Sequence, residues 1–190
     1  MTRPVAAVVL AAGSSSRLGQ PKQLLVLEGE ALVHRAARLA LEAGCFPVVV
    51  VEGAAPLAPA LADLPSVELV RCEDWARGPG ASLKRGVAHL AGRARGVLVL
   101  LVDQPLVTAE DLRRLLEAPG EVAAAEYEGV LGVPARFSGD KLKVLAAVAD
   151  ERGAGPWLRA NAAQVSPVPM PFAARDLDTP EDLPPPPRRG

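Results

Sequence analysis

A chain of 190 residues, 49% hydrophobic and 23% charged, can bury a sizeable core, which excludes a disordered protein. Its net charge of -1 gives no support to a broad nucleic-acid-binding surface, and 3% aromatics argue against a stacking platform for single strands. Cys45 and Cys72 stand alone without C-x-x-C spacing, which excludes a thiolate metal site and fits a reducing cytosol better than a disulfide framework.

Strands alternate with helical patterns along the chain, the sign of a mainly parallel sheet covered on both faces. Val5 to Leu10 is short, apolar and β-branched, a strand buried on both faces. It runs into Ala11-Ala12-Gly13, three serines, then Arg17, Gly19, Lys22 and Leu24-Leu25-Val26. Small residues let a backbone approach a ligand closely, free amides in such a loop point at anions, and two cations can neutralise phosphate. From these residues alone the loop is either a phosphate cradle or a serine-rich connection with two solvated cations. It is not a dinucleotide fingerprint, because five residues separate Gly13 from Gly19. It is not a P-loop either, because Gly19-Gln20-Pro21-Lys22 lacks Gly-Lys-Ser/Thr.

Glu30 to Ala43 carries a helical apolar face ended by Gly44, and Pro47 to Val51 is the second buried strand. Pro56 to Leu64 is a short helix or turn, and Val67 to Val70 a third strand. Arg77-Gly78-Pro79-Gly80 is a loop before a helix over Ala81 to Leu90, with Ser82 in its first turn; a helix N-terminus behind glycines is a ready ligand site. Gly96 to Val102 is the most apolar run, expected at the centre of the sheet, and it ends at Asp103-Gln104-Pro105. Thr108 caps the next helix with Asp111 as the acidic partner. Glu121 to Glu126 and Val130 to Pro134 read as an antiparallel pair. Lys141 to Val148 and Pro156 to Ala160 read as helices, and Val165 to Pro169 as a last strand. The tail from Leu183 to Arg189 carries four consecutive prolines and cannot continue a helix. Residues 1 to 10 lack the features of a signal peptide and no apolar run approaches about 20 residues, so the expectation is a cytoplasmic protein with no membrane span.

In open parallel sheets ligands sit beyond the carboxyl ends of the strands. Three candidates fall there: the 10–22 loop, Gly78 to Ser82, and Asp103. A carboxylate straight after six apolar residues needs a partner, a metal or backbone donors; the alternative is a turn cap before Pro105. Arg175-Asp176-Leu177-Asp178-Thr179-Pro180-Glu181-Asp182 reads locally as a capped helix start with Pro180 at N1. His34 and His89 fall inside expected helices and carry no assigned role.

The opening loop resembles the signature of the molybdenum-cofactor nucleotidyltransferases, L-A-[AG]-G-x-x-x-R-x-G-x-x-K-x-L. Each fixed position is filled, by Leu10, Ala11, Ala12, Gly13, Arg17, Gly19, Lys22 and Leu24. Gly78-Pro79-Gly80-Ala81-Ser82-Leu83 resembles the family's G-x-x-x-S-L, which meets base and ribose. The D-x-P at Asp103 resembles its magnesium aspartate, and the D-x-D-T-P-E-D string resembles the segment that returns a second metal ligand. The match fades between Glu121 and Asn161. Val133 stands where many cytidylyltransferases of the family carry histidine, and Asp150-Glu151-Arg152-Gly153-Ala154-Gly155 departs from G-D-x-G-A-R by an extra residue between the aspartate and Gly-Ala and by Gly155 in place of its arginine.

The resemblance implies a three-layer α/β/α, Rossmann-like nucleotidyltransferase fold with a mostly parallel mixed sheet. It implies one domain over residues 1–183, with a nucleotide half about 1–107, an acceptor half about 108–183 and a disordered tail over 184–190. Arg17, Lys22 and Asp103 are the implied catalytic residues. The nucleotide would meet Leu10, Ala11, Ala12, Gly13, Ser14, Arg17, Lys22, Gly78, Gly80, Ser82 and Asp103. Mg²⁺ would be held by Asp103 and Asp178, with Asp176 as the fallback. The implied activity joins a nucleoside monophosphate to molybdopterin, with or without molybdenum, and releases pyrophosphate. Leu10-Ala11-Ala12-Gly13 is the form usual in the family's cytidylyltransferases, where guanylyltransferases usually read L-A-G-G, so CTP is expected over GTP. A transient contact with a molybdoenzyme is a further implied partner; neither nucleic acid nor membrane is expected. Two other readings stand beside it: a sugar-phosphate nucleotidyltransferase, and a non-catalytic nucleotide- or cofactor-binding chaperone for a molybdoenzyme.

Overall fold

The computed structural model describes residues 4–15 and 19–174. Arg17, the Asp176–Asp178 segment and the proline-rich tail lie outside the described residues. The strands are β1 Val5–Ala11, β2 Val26–Leu27, β3 Glu30–Ala31, β4 Val48–Glu52, β5 Val67–Arg71, β6 Gly96–Leu101, β7 Val122–Tyr127, β8 Val130–Ser138 and β9 Ser166–Pro169. The α-helices are α1 Leu32–Glu42, α2 Pro79–Leu90, α3 Ala109–Glu117, α4 Leu142–Ala147 and α5 Gly155–Ala160.

Among the described residues seven strands form one sheet in the order β5-β4-β1-β6-β8-β7-β9. The apolar run at β6 occupies the middle place, as its composition predicts. β5, β4, β1 and β6 run parallel, with Val8 of β1 opposite Val49 on one side and Val99 on the other. β8 is antiparallel to both β6 and β7, and β7 pairs in parallel with β9. This is the mixed, mostly parallel sheet that the alternation of elements implies.

Two cores cover the two faces, and the period of 2 along each strand divides residues between them. Ala7, Val9, Val48, Val50, Leu98 and Leu100 pack under α1 and α3, while Ala6, Val8, Val49, Val51, Val97 and Val99 pack on the α2, α4 and α5 side. α2 lies close on its face because Gly86 has no side chain. A Cβ there would come within 2.6 Å of Val8 Cγ1 and 2.9 Å of Val51 Cγ2.

Most boundaries shift by a residue from the sequence expectation, and three larger departures have a clear cause. Glu30 and Ala31 pair antiparallel with Val26 and Leu27 instead of opening α1, because Glu28 and Gly29 both take positive φ (52° and 87°) and fold the chain into a tight hairpin. α2 starts at Pro79 rather than Ala81, since proline is preset for the first helical position and Gly78 before it adopts φ 130°. β8 continues past Pro134 to Ser138. Its pairing with β7 skips Val133 and Pro134, since proline has no amide to donate and the ladder must bulge there.

Cys45 and Cys72 are both buried and free, and burial pushes the Cys45 thiol up to about 12. Among the described residues no helix is long and apolar enough to cross a membrane.

Candidate active site

A cleft of about 400 Å³ opens beyond the carboxyl ends of β1 and β6, lined by Leu10 to Ser14, Lys22, Gln23, Trp75, Ala76, Gly78, Pro79, Ser82 and Leu101 to Asp103. The turn from strand to loop at Ala12 is buried, and Gly13 and Ser14 face outward. The loop is held by a residue that the motif leaves unspecified. Gln23 is 1% exposed; its Nε2 donates to the Gly13 carbonyl at 3.1 Å and its Oε1 accepts from the Ser15 hydroxyl at 3.3 Å. Ser15 has φ 54° and its Oγ in turn accepts from the Lys22 amide at 2.9 Å. These bonds close the loop around its own backbone and fix where the Lys22 side chain leaves it.

Lys22 Nζ donates to Asp103 Oδ2 at 2.5 Å, across 81 residues of sequence. The pairing follows from topology: β1 and β6 are neighbours running in the same direction, so the residues after their ends meet. Asp103 is 9% exposed and its Oδ1 is buried with no hydrogen-bond partner among the described residues. The residue beside it is also buried. Gln104 Nε2 donates at 2.9 Å to both the Val133 and Ala173 carbonyls, tying the β6 end to the β8 bulge and to the last described turn.

The other wall is the start of α2. Gly78, Pro79 and Ser82 line the cleft, but Gly80 does not. A Cβ on Gly80 would fall 2.0 Å from the Ala149 carbonyl oxygen, and its amide donates to the Asp150 carbonyl at 2.8 Å. Gly78 is nearly as tight, with 2.4 Å from its Cβ position to that same Asp150 oxygen. The glycines at this helix start therefore admit the 149–151 backbone. Asp150 is clamped there by Arg77 Nη2 at 2.5 Å and by the Lys84 ammonium, and Lys84 followed by Arg77 holds its carboxyl below the usual carboxylate range. The local sequence carries no signal for this contact.

Leu10, Ala11, Ala12, Gly13, Ser14, Lys22, Gly78, Ser82 and Asp103 thus come together in one cleft, as expected from the sequence. Arg17, Asp176 and Asp178 lie outside the described residues. Among the described residues no three His, Cys, Asp or Glu side chains gather as a metal cage. A single buried carboxylate with one oxygen unpartnered is the kind of donor that a hard divalent ion takes when waters and phosphate oxygens complete its shell. Asp103 fits that description. The residues that sequence reasoning missed are Gln23, Gln104, Asp150 and Trp75. Of these only the glutamines left a trace, as uncharged polar residues beside otherwise apolar or motif positions.

Comparison with known proteins agrees with this geometry. The model of the MobA-like NTP transferase domain matches residues 7–165. The purine catabolism protein PucB of Bacillus subtilis is 30% identical over an alignment of 190 positions that covers 92% of each protein. A probable molybdenum cofactor guanylyltransferase of Opitutus terrae is 40% identical over 114 residues, 58% of this chain and 54% of that protein. The crystal structure of Rv0371c from Mycobacterium tuberculosis superposes with a TM-score of 0.80 at 28% identity over 96% of both chains. A structure of Rv0371c in complex with manganese gives 0.75 at 27% identity, over 94% of this chain and 95% of that one. By fold, motif and comparison, the chain belongs to the MobA-like NTP transferase family and is a nucleotidyltransferase.

Proposed function

We propose that the chain transfers a nucleoside monophosphate, from CTP in preference to GTP, to the terminal phosphate of molybdopterin, with or without molybdenum, and releases pyrophosphate. The observation that carries this reading is the Lys22–Asp103 pair, which joins the two motif segments in one cleft and leaves Asp103 Oδ1 without a partner among the described residues. Residues 1–107 form the nucleotide half, residues 108–183 the acceptor half, and the protein works in the cytoplasm.

An oxygen of the acceptor phosphate attacks the α-phosphorus, the bond from that phosphorus to the bridging oxygen breaks, and its electron pair leaves with pyrophosphate. A phosphate monoester is already anionic near neutral pH, so this chain need not supply a strong base. Its residues position and neutralise. Lys22, fixed at its backbone by Ser15 and at its ammonium by Asp103, meets the charge that grows on the leaving group, and Arg17 holds the phosphate oxygens through its planar fork. Asp103 would hold Mg²⁺, with Asp178 as the second carboxylate and Asp176 as its fallback, and the ion would supply positive charge to the phosphate oxygens.

The base preference rests on Ala12, a buried residue at the cleft whose methyl group narrows the space that a glycine would leave. One methyl discriminates by about 1–3 kcal/mol, so residual use of GTP is expected. The molybdopterin acceptor rests on the motif resemblance and on the name of the Opitutus relative. A sugar-phosphate acceptor is the second reading, favoured by Val133 in place of histidine and by Gly155 in place of the arginine that follows Gly-Ala in the family motif.

The test is pyrophosphate release from CTP and GTP, each offered with molybdopterin, molybdenum cofactor and a panel of sugar phosphates. Turnover with CTP and molybdopterin is expected. Turnover only with sugar phosphates moves the protein to the second reading. Nucleotide binding without turnover of any acceptor makes it a chaperone, and equal or faster use of GTP overturns the base assignment.

A further inference from the structure

Trp75 lies across the cleft from the Lys22–Asp103 pair. Asp103 follows the end of β6, whereas Trp75 stands over Gly53, the residue after β4, and β1 separates those two strands. Two strand spacings set these ends about 10 Å apart. The β6 side carries the ammonium and the carboxylate. The lining around Trp75 carries no charged side chain; it is made by Ala12, Trp75, Ala76, Gly78, Pro79 and Ser82. A charged end and an uncharged aromatic end across that span match a nucleotide laid over β1, with its phosphates at Lys22 and its base at Trp75.

The indole is seated by the fold. A Cβ on Gly53 would lie 2.6 Å from both Cβ and Cγ of Trp75 and 2.7 Å from the Ala12 carbonyl oxygen. Only a residue without a side chain lets Trp75 settle onto the strand end beside the Ala12 backbone. Trp75 is half-buried: it packs on the α2-side core and still lines the cleft.

We propose that Trp75 is a nucleotide-binding residue whose indole is the platform for the base, with Gly53 as the notch that seats it. This rests on the reading of the cleft as a nucleoside triphosphate site. Every base has a π-face, so the platform sets the plane of the base without choosing between CTP and GTP. That choice falls to contacts at the base edge, from the side of Ala12 and Ser82.

Trp157 is the other of two tryptophans; it packs against Phe137 at 5.7 Å between ring centroids and does not line the cleft. Trp157→Phe therefore leaves one reporter indole, at Trp75. Titrating CTP into this variant without acceptor should change its emission saturably, with a Kd matching that of the wild type by calorimetry. Trp75→Leu keeps an apolar filler and should raise the Kd for CTP about 5- to 100-fold. Its kcat at saturating CTP should change by less than about threefold, because a base contact acts equally on ground and transition states. Trp75→Phe should recover most of the affinity, which packing alone does not explain. An unchanged Kd in Trp75→Leu overturns the proposal. Should that variant not fold, an unchanged Trp75 emission in Trp157→Phe saturated with CTP overturns it instead. A wild-type protein that binds neither triphosphate overturns the nucleotide reading itself.

Discussion

Asp103→Asn separates a metal-ligating carboxylate from a structural one. Oδ2 accepts from Lys22 at 2.5 Å, and Oδ1 is buried without a partner among the described residues. Asparagine keeps the shape and can still turn an acceptor toward Lys22. The charge on that bond is lost. A charged hydrogen bond contributes about 1.5–3 kcal/mol and a neutral one about 0.5–1.5, so the loss is about 1 kcal/mol. Part of it is offset, because an ionised oxygen no longer has to be kept dry without a donor. In a chain of this length 1 kcal/mol moves Tm by about 2–4 °C, so the variant should unfold within a few degrees of the wild type. The rate responds differently. Charge stabilisation at phosphate oxygens is worth several kcal/mol, and each 1.36 kcal/mol is about tenfold, so kcat should fall by about two orders of magnitude or more. The assay is pyrophosphate release over a Mg²⁺ series at saturating CTP, with Mn²⁺ binding followed by electron paramagnetic resonance and Tm by calorimetry. Asp178→Asn should behave alike, and the double variant should be little slower than either single one, because ligands of one ion act as a unit. Full turnover with unchanged Mn²⁺ binding in Asp103→Asn would refute the metal assignment. A Tm loss above about 10 °C would instead make the carboxylate a structural one.

Three more outcomes follow from the same geometry. Lys22→Ala should lower kcat more than it weakens CTP binding, and Arg17→Lys should also slow turnover because an ammonium cannot reproduce the guanidinium fork; unchanged rates in both would return the loop to a solvated connection. Gly80→Ala should cost about 1–3 kcal/mol, because its new methyl group meets the Ala149 carbonyl at 2.0 Å and backbone must move; urea unfolding that matches the wild type would refute the packing role. Glu30 is held at about 2, against an ordinary 4.5, chiefly by its hydrogen bond to Arg38 and further by His34, with burial opposing them. Its contribution to stability is therefore lost as pH falls from about 4.5 toward 2, so the stability gap between wild type and Glu30→Gln should close over that range.

What was legible in the sequence, and what was not, divides by the range of the contacts. β1 and β6 read clearly because a strand buried on both faces needs an unbroken apolar run, and each leads into the segment that carries its motif residues. Lys22 and Asp103 were each visible, but their pairing depends on β1 and β6 being neighbours, which appears only once the sheet order is known. Gly78-Pro79-Gly80 read as a ligand loop because glycines before a helix leave amides open. For Gly80 that space is filled by residues 149–151, about seventy positions away, and no local pattern announces them. The buried amides of Gln23 and Gln104 follow the same logic. Each donates its amide hydrogens to backbone carbonyls, and a carbonyl partner leaves no mark on the residue type that supplies it. Arg136 is the strongest case. Buried in β8 and with no carboxylate partner among the described residues, it donates to the carbonyls of Leu115, Ala118 and Gly120 and to the Ser138 hydroxyl. It thereby satisfies the open end of α3, where a cation also meets the negative end of the helix dipole. The motif residues that line the cleft lie in short local strings, so they can be read one at a time. The side chains that hold them face other backbone, and their meaning exists only in the folded chain.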